Sequence, residues 1–291
     1  MIETGNHTQL VEMDLAHLLH PMQGRDHNTS GPTVFVRGRG ALIEDAAGKE
    51  YLDAFSGLWN VNAGHGRVEL AEAASEQMST LAFTSGFAGS SNAPAIHLAA
   101  RLAWMAPGDL TATFFTTGGA ESVETAIKVA RFYWRMVGRP EKTKIISRQQ
   151  GYHGLTASAL SATGIPQFWT NFGPLEPGHH HIPTHYCYRC AWRGEYPACG
   201  LACAEALEQA IVAESAGTVA AFLAEPVQGA GGSRAGRGGR LALATRLWRK
   251  LTEGAIVALL VCFFSSPLRE GYGLRRSDPP PNSIALTDRS K

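Results

Sequence analysis

The fold is decided by the stretch Phe114-Phe-Thr-Thr-Gly-Gly-Ala-Glu-Ser-Val-Glu-Thr-Ala-Ile-Lys-Val-Ala-Arg131. Its two aromatic residues predict the end of a buried strand, residues 116–119 predict a tight turn, and the remainder predicts a helix. The apolar residues that recur on one face of this helix are Val123, Ile127, Ala130 and Trp134. Such a turn presents backbone N–H groups that have no intrahelical partner, at the helix end whose dipole favours an anion. The stretch therefore predicts a phosphate-binding cradle.

This cradle matches neither of two common nucleotide-binding signatures. A P-loop needs a Lys-Ser/Thr pair after its glycines, and a dinucleotide fold needs three spaced glycines. The alternative is an ordinary strand-to-helix turn, because glycine-rich turns are common. If a phosphate binds here, it belongs to another kind of ligand.

Three further segments accompany the cradle. Trp59-Asn-Val-Asn-Ala-Gly-His-Gly66 precedes it, and Gly151-Tyr-His-Gly154 and Ala224-Glu-Pro-Val-Gln-Gly229 follow it. In this order and at these spacings, the segments resemble class III aminotransferases, the pyridoxal-phosphate enzymes of fold type I that include omega-amino-acid:pyruvate aminotransferases. The resemblance runs from about Leu15 to Gly232.

The resemblance implies a role for six residues. Backbone groups of Gly118, Gly119 and Ala120 would hold the phosphate of pyridoxal 5'-phosphate, Tyr152 would stack on its ring, Glu225 would lie near it, and Trp59 would border the substrate pocket. The residues themselves favour two of these roles. Glycines on both sides of Tyr152 permit close approach to a flat ring, and Glu225 follows a buried strand, where open α/β sheets bind ligands. For both aromatic residues the alternative is simple packing.

The predicted fold is α/β, an incomplete fold-type I transferase with a mostly parallel sheet flanked by helices. Residues 1–60 are predicted to form an N-terminal arm and a small-domain segment that includes a hairpin or meander over 34–53. Residues 61–232 are predicted to form the first part of the cofactor-binding large domain. Helices are expected over 68–83, 92–105 and 201–213, strands over 144–147 and 219–225, and a loop over 163–186, which includes Gly178-His-His-His181.

The chain lacks two groups that the resemblance calls for. Transamination needs a lysine that forms the Schiff base and an acidic group on the pyridine nitrogen. In the family these lie on an Asp-Glu-Val strand and in an Ala-Lys-Gly setting beyond Glu-Pro-Val-Gln-Gly. Lys250 and Lys291 match no such motif, and Lys128 lies in the cradle helix, turned away. No catalytic residue is therefore assigned.

Residues 233–291 differ in charge from the rest of the chain. Residues 1–232 carry 15 Lys/Arg and 21 Asp/Glu, a net of −6, whereas residues 233–291 carry 11 and 4, a net of +7, which together make +1. We interpret this part as a divergent, poorly ordered basic tail produced by a reading-frame shift or an alternative ending. The chain is then either a doubtfully active aminotransferase or a non-catalytic remnant that binds pyridoxal phosphate. A third, less favoured hypothesis is nucleic-acid binding through the arginines of this tail.

The remaining features point to a cytoplasmic enzyme without a metal. Cys187, Cys190, Cys199 and Cys203 superficially resemble a zinc site, but their spacing fits no standard zinc module, so reduced thiols are expected. No signal peptide opens the sequence, and the longest apolar run, 255–264, is about half of a membrane span. The resemblance implies a homodimer acting on a small amino donor and a keto acid, with neither membrane nor nucleic acid as partner.

Overall fold

The computed structural model describes residues 6–21, 31–106, 110–196, 198–232 and 234–235. They form two compact units, of which the first ends at Met105 and the second begins at Ala106. These units follow contacts within the chain and do not test the boundary predicted between residues 60 and 61, which stays a prediction. The predicted tail lies almost wholly outside the described residues.

The first unit contains an antiparallel meander between helices. Its elements are α1 (His7–His17), β1 (Phe35–Arg39), β2 (Leu42–Asp45), β3 (Glu50–Leu52), α2 (Ser56–Trp59), α3 (Val68–Leu81), a 3₁₀ turn (Phe87–Gly89) and α4 (Ala93–Met105). The strand order β1-β2-β3 confirms the predicted meander. Asp45 fixes the turn after β2, because its carboxylate accepts hydrogen bonds from Ala47 N, Lys49 N and the Tyr51 hydroxyl.

The second unit is a parallel sheet with helices on both faces. Its elements are α5 (Gly119–Met136), β4 (Lys144–Arg148), α6 (Ala157–Ala162), a 3₁₀ turn (Pro166–Phe168), β5 (His179–Ile182), a 3₁₀ turn (Cys187–Arg189), α7 (Ala202–Ala213), a 3₁₀ turn (Ala216–Thr218), β6 (Val219–Phe222), β7 (Val227–Gln228) and β8 (Arg234–Ala235). The strand order is β5-β4-β6, with both pairs parallel, and β7 and β8 form a separate antiparallel pair. The predicted α/β class is confirmed.

Consecutive residues of β4 serve the two faces of the sheet, as the two-residue period of a strand requires. Ile146 packs in a cluster with residues of α7, and Ile145 packs in a second cluster with residues of α5 and α6. The residues of α5 that are buried are Val123, Ile127, Ala130 and Trp134. These are the four residues predicted to share one face, so the periodicity located the core side of this helix correctly.

The predicted loop over Gly178-His-His-His181 is wrong in its central part. His179–Ile182 form β5, which pairs along its whole length with β4. Polar residue type suggested a loop, but a neutral imidazole packs like an aromatic ring. Burial keeps it neutral, since it lowers the pKa of His179 to about 4, with Arg131 as the next cause.

The predicted buried strand ending in Phe114 and Phe115 is also wrong. In the described part of this segment no strand is assigned, and the two side chains are 75% and 45% exposed. A strand needs a neighbour for its backbone hydrogen bonds, and none of the six other residues from 110 to 117 belongs to a paired strand.

Several helices leave an apolar face uncovered. Neither α3 nor α4 has a buried residue, although both have the expected amphipathic pattern. On α5 the face opposite the core carries exposed Val129, Phe132 and Met136. The formation of α3 and α4 was therefore predictable from their pattern, but their apolar faces are not buried within the described residues.

Trp134 joins α5 to the sheet, and its replacement tests this packing. Its indole Nε1 donates a 2.8 Å hydrogen bond to Ala220 O, and Lys142 Nζ lies 4.3 Å from its ring centroid. We expect Trp134→Phe to lower the free energy of unfolding by about 2 kcal/mol or more, through the lost hydrogen bond and a residual cavity. The adjacent, partly exposed Tyr133→Phe should cost less than about 0.5 kcal/mol. Denaturant titration of both variants measures the difference; equal losses would contradict the assigned packing.

Candidate cofactor-binding site

The candidate site lies where the parallel strands of the second unit end. Strand β4 ends at Arg148, and the chain turns through Gln150, whose φ is +62°, before it reaches Tyr152. Gln150 N donates to Gly164 O at 2.7 Å, and Gly164 N donates to Gly151 O at 2.8 Å. The backbone of residues 149–151 is therefore held on both sides, and Tyr152 leaves it in a defined direction.

Glu225 connects this turn to the segment after β6. Its Oε1 accepts a 2.8 Å hydrogen bond from Tyr152 N, and its Oε2 accepts a 3.0 Å hydrogen bond from Gly229 N. Burial raises the pKa of Glu225, and the two backbone donors offset part of that rise. Glu225 thus acts here on the backbone that carries Tyr152. Its predicted contact with the cofactor stays a prediction.

The predicted cradle residues lie at the start of α5, as expected, although no strand precedes them among residues 110–117. Gly118 has extended backbone angles and caps the helix without a side-chain hydrogen bond, and Gly118 and Gly119 are exposed. The first N–H groups of a helix have no carbonyl partner inside it, and this helix of 18 residues is long enough for a developed dipole. Gly118, Gly119 and Ala120 therefore form an end that is suited to an anion, and their role in holding a phosphate stays a prediction.

The cradle is in direct contact with the segment 149–154, which carries Tyr152 and is called the tyrosine turn below. Gly154 has φ +116°, and a Cβ built on it would lie 2.6 Å from the Ala120 Cβ. Only a residue without a side chain lets the turn lie this close to the start of α5. Two of the segments singled out in the sequence, residues 114–131 and 151–154, are thus brought together by the fold.

Two threonines before α5 contact polar side chains of its first turn. The Thr116 hydroxyl contacts the Ser122 hydroxyl, and the Thr117 hydroxyl donates to Glu121 Oε2. The same Glu121 oxygen lies 3.6 Å from where a Cβ on Gly118 would be. An acidic group therefore stands beside the anion-binding end, a feature that the sequence reasoning did not anticipate.

Tyr152 is half-buried and packs against Phe168. Their ring centroids are 5.5 Å apart, with a 58° angle between planes. Burial raises the pKa of the Tyr152 phenol. A half-buried aromatic ring on a segment that contacts the start of α5 through Gly154 is suited to stacking on a second ring.

Glu124, one turn into α5, was not singled out in the sequence. Its Oε1 accepts hydrogen bonds from the Thr156 hydroxyl at 2.7 Å, Ser158 N at 2.9 Å and Ala159 N at 3.2 Å. Burial by itself raises the pKa of Glu124, but these donors outweigh it and hold the value below the ordinary one. The carboxylate caps α6 and so fixes the far side of the tyrosine turn. An isolated glutamate in a helix gives no sequence signal for such a role.

Two further predictions concern Trp59 and the cysteines. Trp59 belongs to the first unit, where α2 is a single turn with positive φ at Ser56, Gly57, Leu58 and Trp59. Its ring lies 5.1 Å from that of Phe55, and its predicted place in a substrate pocket stays a prediction. Among the described residues, no group of three or more His, Cys, Asp or Glu is placed to hold a metal ion. Cys187, Cys190, Cys199 and Cys203 line one small cavity as thiols.

The structure fits a phosphate-bearing ring cofactor. An open helix N-terminus, a glycine that admits the tyrosine turn, and the half-buried Tyr152 ring lie at the carboxyl edge of a parallel sheet. Together, this fold and site define the first part of a fold-type I pyridoxal-phosphate enzyme. Comparison with known proteins identifies the family.

A sequence profile described as Aminotransferase class-III matches residues 23–249. A probable aminotransferase of Mycobacterium tuberculosis is 49% identical over 199 residues, which are 68% of this chain and 42% of that protein. The beta-alanine–pyruvate aminotransferase of Pseudomonas aeruginosa is 34% identical over 221 residues, 76% of this chain and 49% of that protein. An omega-transaminase of Pseudomonas jessenii, solved in complex with PMP, has a TM-score of 0.80 at 36% identity and covers 83% of this chain and 54% of its own.

The chain therefore belongs to the class III aminotransferase family, whose members use pyridoxal phosphate. It spans about half the length of the relatives it matches. The family match ends at residue 249, beyond Gly232, where the resemblance was expected to stop. In the described part of the chain, no helix is both long and apolar enough to cross a bilayer.

The close approach of Gly154 to the cradle is tested by Gly154→Ala, with Gly138→Ala as control. Both glycines have positive φ, but a Cβ on Gly138 has nothing within 4 Å. Gly138→Ala should cost about 1 kcal/mol through backbone strain alone, whereas Gly154→Ala adds a clash worth about 1–3 kcal/mol. Chemical denaturation gives both values. A difference below about 0.5 kcal/mol would show that the turn does not depend on this contact.

The buried histidines predict that stability falls in acid. Burial, followed by the charge of His181, lowers the pKa of His153 from 6.5 to about 4. Between these values the unfolded chain binds the proton and the folded chain does not, so stability is lost as pH falls from about 6.5 to about 4, by about 3 kcal/mol for this group.

Denaturant titrations across that range, on wild type and His153→Gln, measure the contribution. The variant should have a shallower pH dependence, with the part due to His179 remaining. Ser147→Ala, which shortens a fully buried side chain that does not titrate, should leave the slope unchanged. Identical slopes for all three proteins would contradict burial of a neutral His153.

Proposed function

We propose that this chain supplies the phosphate- and ring-binding part of an aminotransferase site. The reaction of the whole site transfers an amino group from an omega-amino acid or amine to pyruvate or another keto acid. The observation that carries the proposal is the packing of the Tyr152 turn against the open start of α5 through Gly154. The similar proteins described as omega-transaminase and beta-alanine–pyruvate aminotransferase support the substrate class.

Each site residue has a physical task in this proposal. The N–H groups of Gly118, Gly119 and Ala120 hold the phosphate, Tyr152 fixes the plane of the ring, and Glu225 holds the Tyr152 backbone. Bound pyridoxal phosphate supplies an electron-accepting ring. Trp59 borders the substrate. The working form is a cytoplasmic homodimer, a proposal that rests on the family resemblance and that sedimentation of the purified chain would test.

A second candidate function is cofactor binding without turnover. The lysines described in the second unit favour it, since none lies in the candidate site. Lys128 is exposed on α5, and Lys142 donates to Ala216 O at 2.7 Å. Lys144 pairs with Glu214 at the amino end of β4. The site is at the opposite, carboxyl end of that strand.

Cofactor binding is tested by titrating the 291-residue chain with pyridoxal phosphate and with pyridoxal, which lacks the phosphate. If the cradle holds the phosphate, pyridoxal phosphate should bind at least about tenfold more tightly, as expected for charge-assisted hydrogen bonds. Gly119→Asp should weaken this binding by charge repulsion while it keeps a helix-compatible first turn. Val129→Asp adds the same charge at an exposed position on α5 and should have little effect.

Equal affinity for the two ligands, or equal effects of the two aspartates, would refute the cradle. Turnover is measured separately, as alanine formed from pyruvate and an omega-amine. Alanine formation supports the aminotransferase reading for the chain itself. Cofactor binding without alanine supports the second candidate.

A further inference from the structure

Gln228 is the largest polar side chain among the fully buried residues that line the carboxyl edge of the sheet, with 1% of its surface exposed. Its Nε2 donates a 3.0 Å hydrogen bond to Gln149 O, and its Oε1 accepts a hydrogen bond from the Thr184 hydroxyl. Its own backbone is anchored in β7, where it pairs with Arg234 of β8. Both polar ends of the carboxamide are thus engaged.

The two partners of Gln228 belong to different loops. Thr184 follows β5, Gln149 follows β4, and Gln228 itself lies in the segment after β6. Backbone pairing positions these strands relative to one another, and it continues for one residue beyond β4, where Gln149 N donates to Ile182 O at 2.8 Å. Beyond that point, one buried carboxamide links the loop after each of the three strands.

The link to Gln149 acts on the turn that carries Tyr152. Gln149 is followed by Gln150, a non-glycine residue with φ +62°, a conformation that costs about 1 kcal/mol or more and needs support from its surroundings. The Nε2 of Gln228 lies 3.6 Å from where a Cβ on Gly151 would be. The carboxamide therefore rests against the turn as well as bonding to it.

We propose that Gln228 is a positioning residue for the cofactor site. Its carboxamide sets the turn over residues 149–151 and thereby the direction of the Tyr152 ring. The expected effect of Gln228 on cofactor affinity rests on the proposed function. The link that Gln228 makes between the three loops does not depend on any ligand.

Replacing Gln228 by leucine tests whether its hydrogen bonds position the turn or whether its side chain only fills the space. Gln228→Leu keeps a side chain of similar volume but removes both hydrogen bonds. Thr184→Val removes the bond to Oε1 alone, and Thr184→Ser retains a hydroxyl. Ser147→Ala is the matched control, because Ser147 is fully buried in β4 and its hydroxyl bonds to Ala162 O, a bond that involves neither Gln228 nor residues 149–154.

The first readout is amide hydrogen exchange of the full chain without ligand. Gln228→Leu should accelerate exchange over residues 149–154, Thr184→Val should do so to a smaller extent, and Ser147→Ala and Thr184→Ser should not. Unchanged exchange over this segment in Gln228→Leu would overturn the proposal. Acceleration spread evenly over the second unit would also overturn it, since that indicates a general structural role. Thr184→Val provides the test if the leucine variant does not fold.

The second readout is the affinity for pyridoxal phosphate in a double-mutant cycle with Tyr152→Ala. Gln228→Leu alone should weaken binding about tenfold, as for loss of hydrogen bonds that orient a contact. In the Tyr152→Ala background the same change should have almost no effect, because the residue acts through Tyr152. Additive losses would refute this route. If the wild-type chain binds no pyridoxal phosphate, the proposed function fails, and the exchange experiment still decides the role of Gln228.

Discussion

The second unit depends on the burial of β4 between two layers of helices. Ile145 and Ile146 are consecutive residues, yet they belong to separate apolar clusters on opposite faces of the sheet. Each cluster recruits its own helices, so one short strand determines where α5, α6 and α7 lie. Because parallel strands all end at the same edge, this arrangement also brings the segments after β4, β5 and β6 together.

At that edge the loops are held together by hydrogen bonds from polar side chains, whereas the sheet and helices are held together by apolar burial. Glu124 caps α6, Glu225 holds Tyr152 N, and Gln228 spans two loops. Carboxylates and a carboxamide are suited to this task, since each can accept or bridge backbone groups that have left the strand ladder. The hydrophobic layers thus place the site coarsely, and a few charge-assisted hydrogen bonds give it its geometry.

The sequence predicted those parts in which local pattern and tertiary environment agree. The helix over 119–136, its buried face, the meander near the N-terminus and the strand before Glu225 were all accessible, because periodicity and turn residues reflect packing directly. The histidine strand was not, since residue type alone does not reveal that burial keeps imidazoles neutral. Phe114 and Phe115 were misassigned because two aromatic residues indicate burial only if a neighbour exists to cover them.

The polar connections were harder still. Glu124 and Gln228 are ordinary residues in sequence, and their roles depend on groups more than thirty positions away: Glu124 meets the Ser158 amide, and Gln228 meets Gln149 O. Glu225 was found only because it follows a buried strand within a recognisable segment. Hydrogen bonds between residues far apart in sequence produce no periodic sequence pattern, so these contacts could be identified only in the structure.

The glycines of this edge have a consequence for how the protein can diverge. A Cβ on Gly164 would overlap Arg148 O, and one on Gly231 would overlap Gln150 O. At these points two backbones touch with no space for any side chain, whatever its chemistry. Substitutions can therefore accumulate among the side chains that face a ligand at this edge, whereas Gly164 and Gly231 cannot be replaced without moving the backbone. New specificity in such a scaffold must therefore come from residues that flank these backbone contacts and not from the glycines that form them.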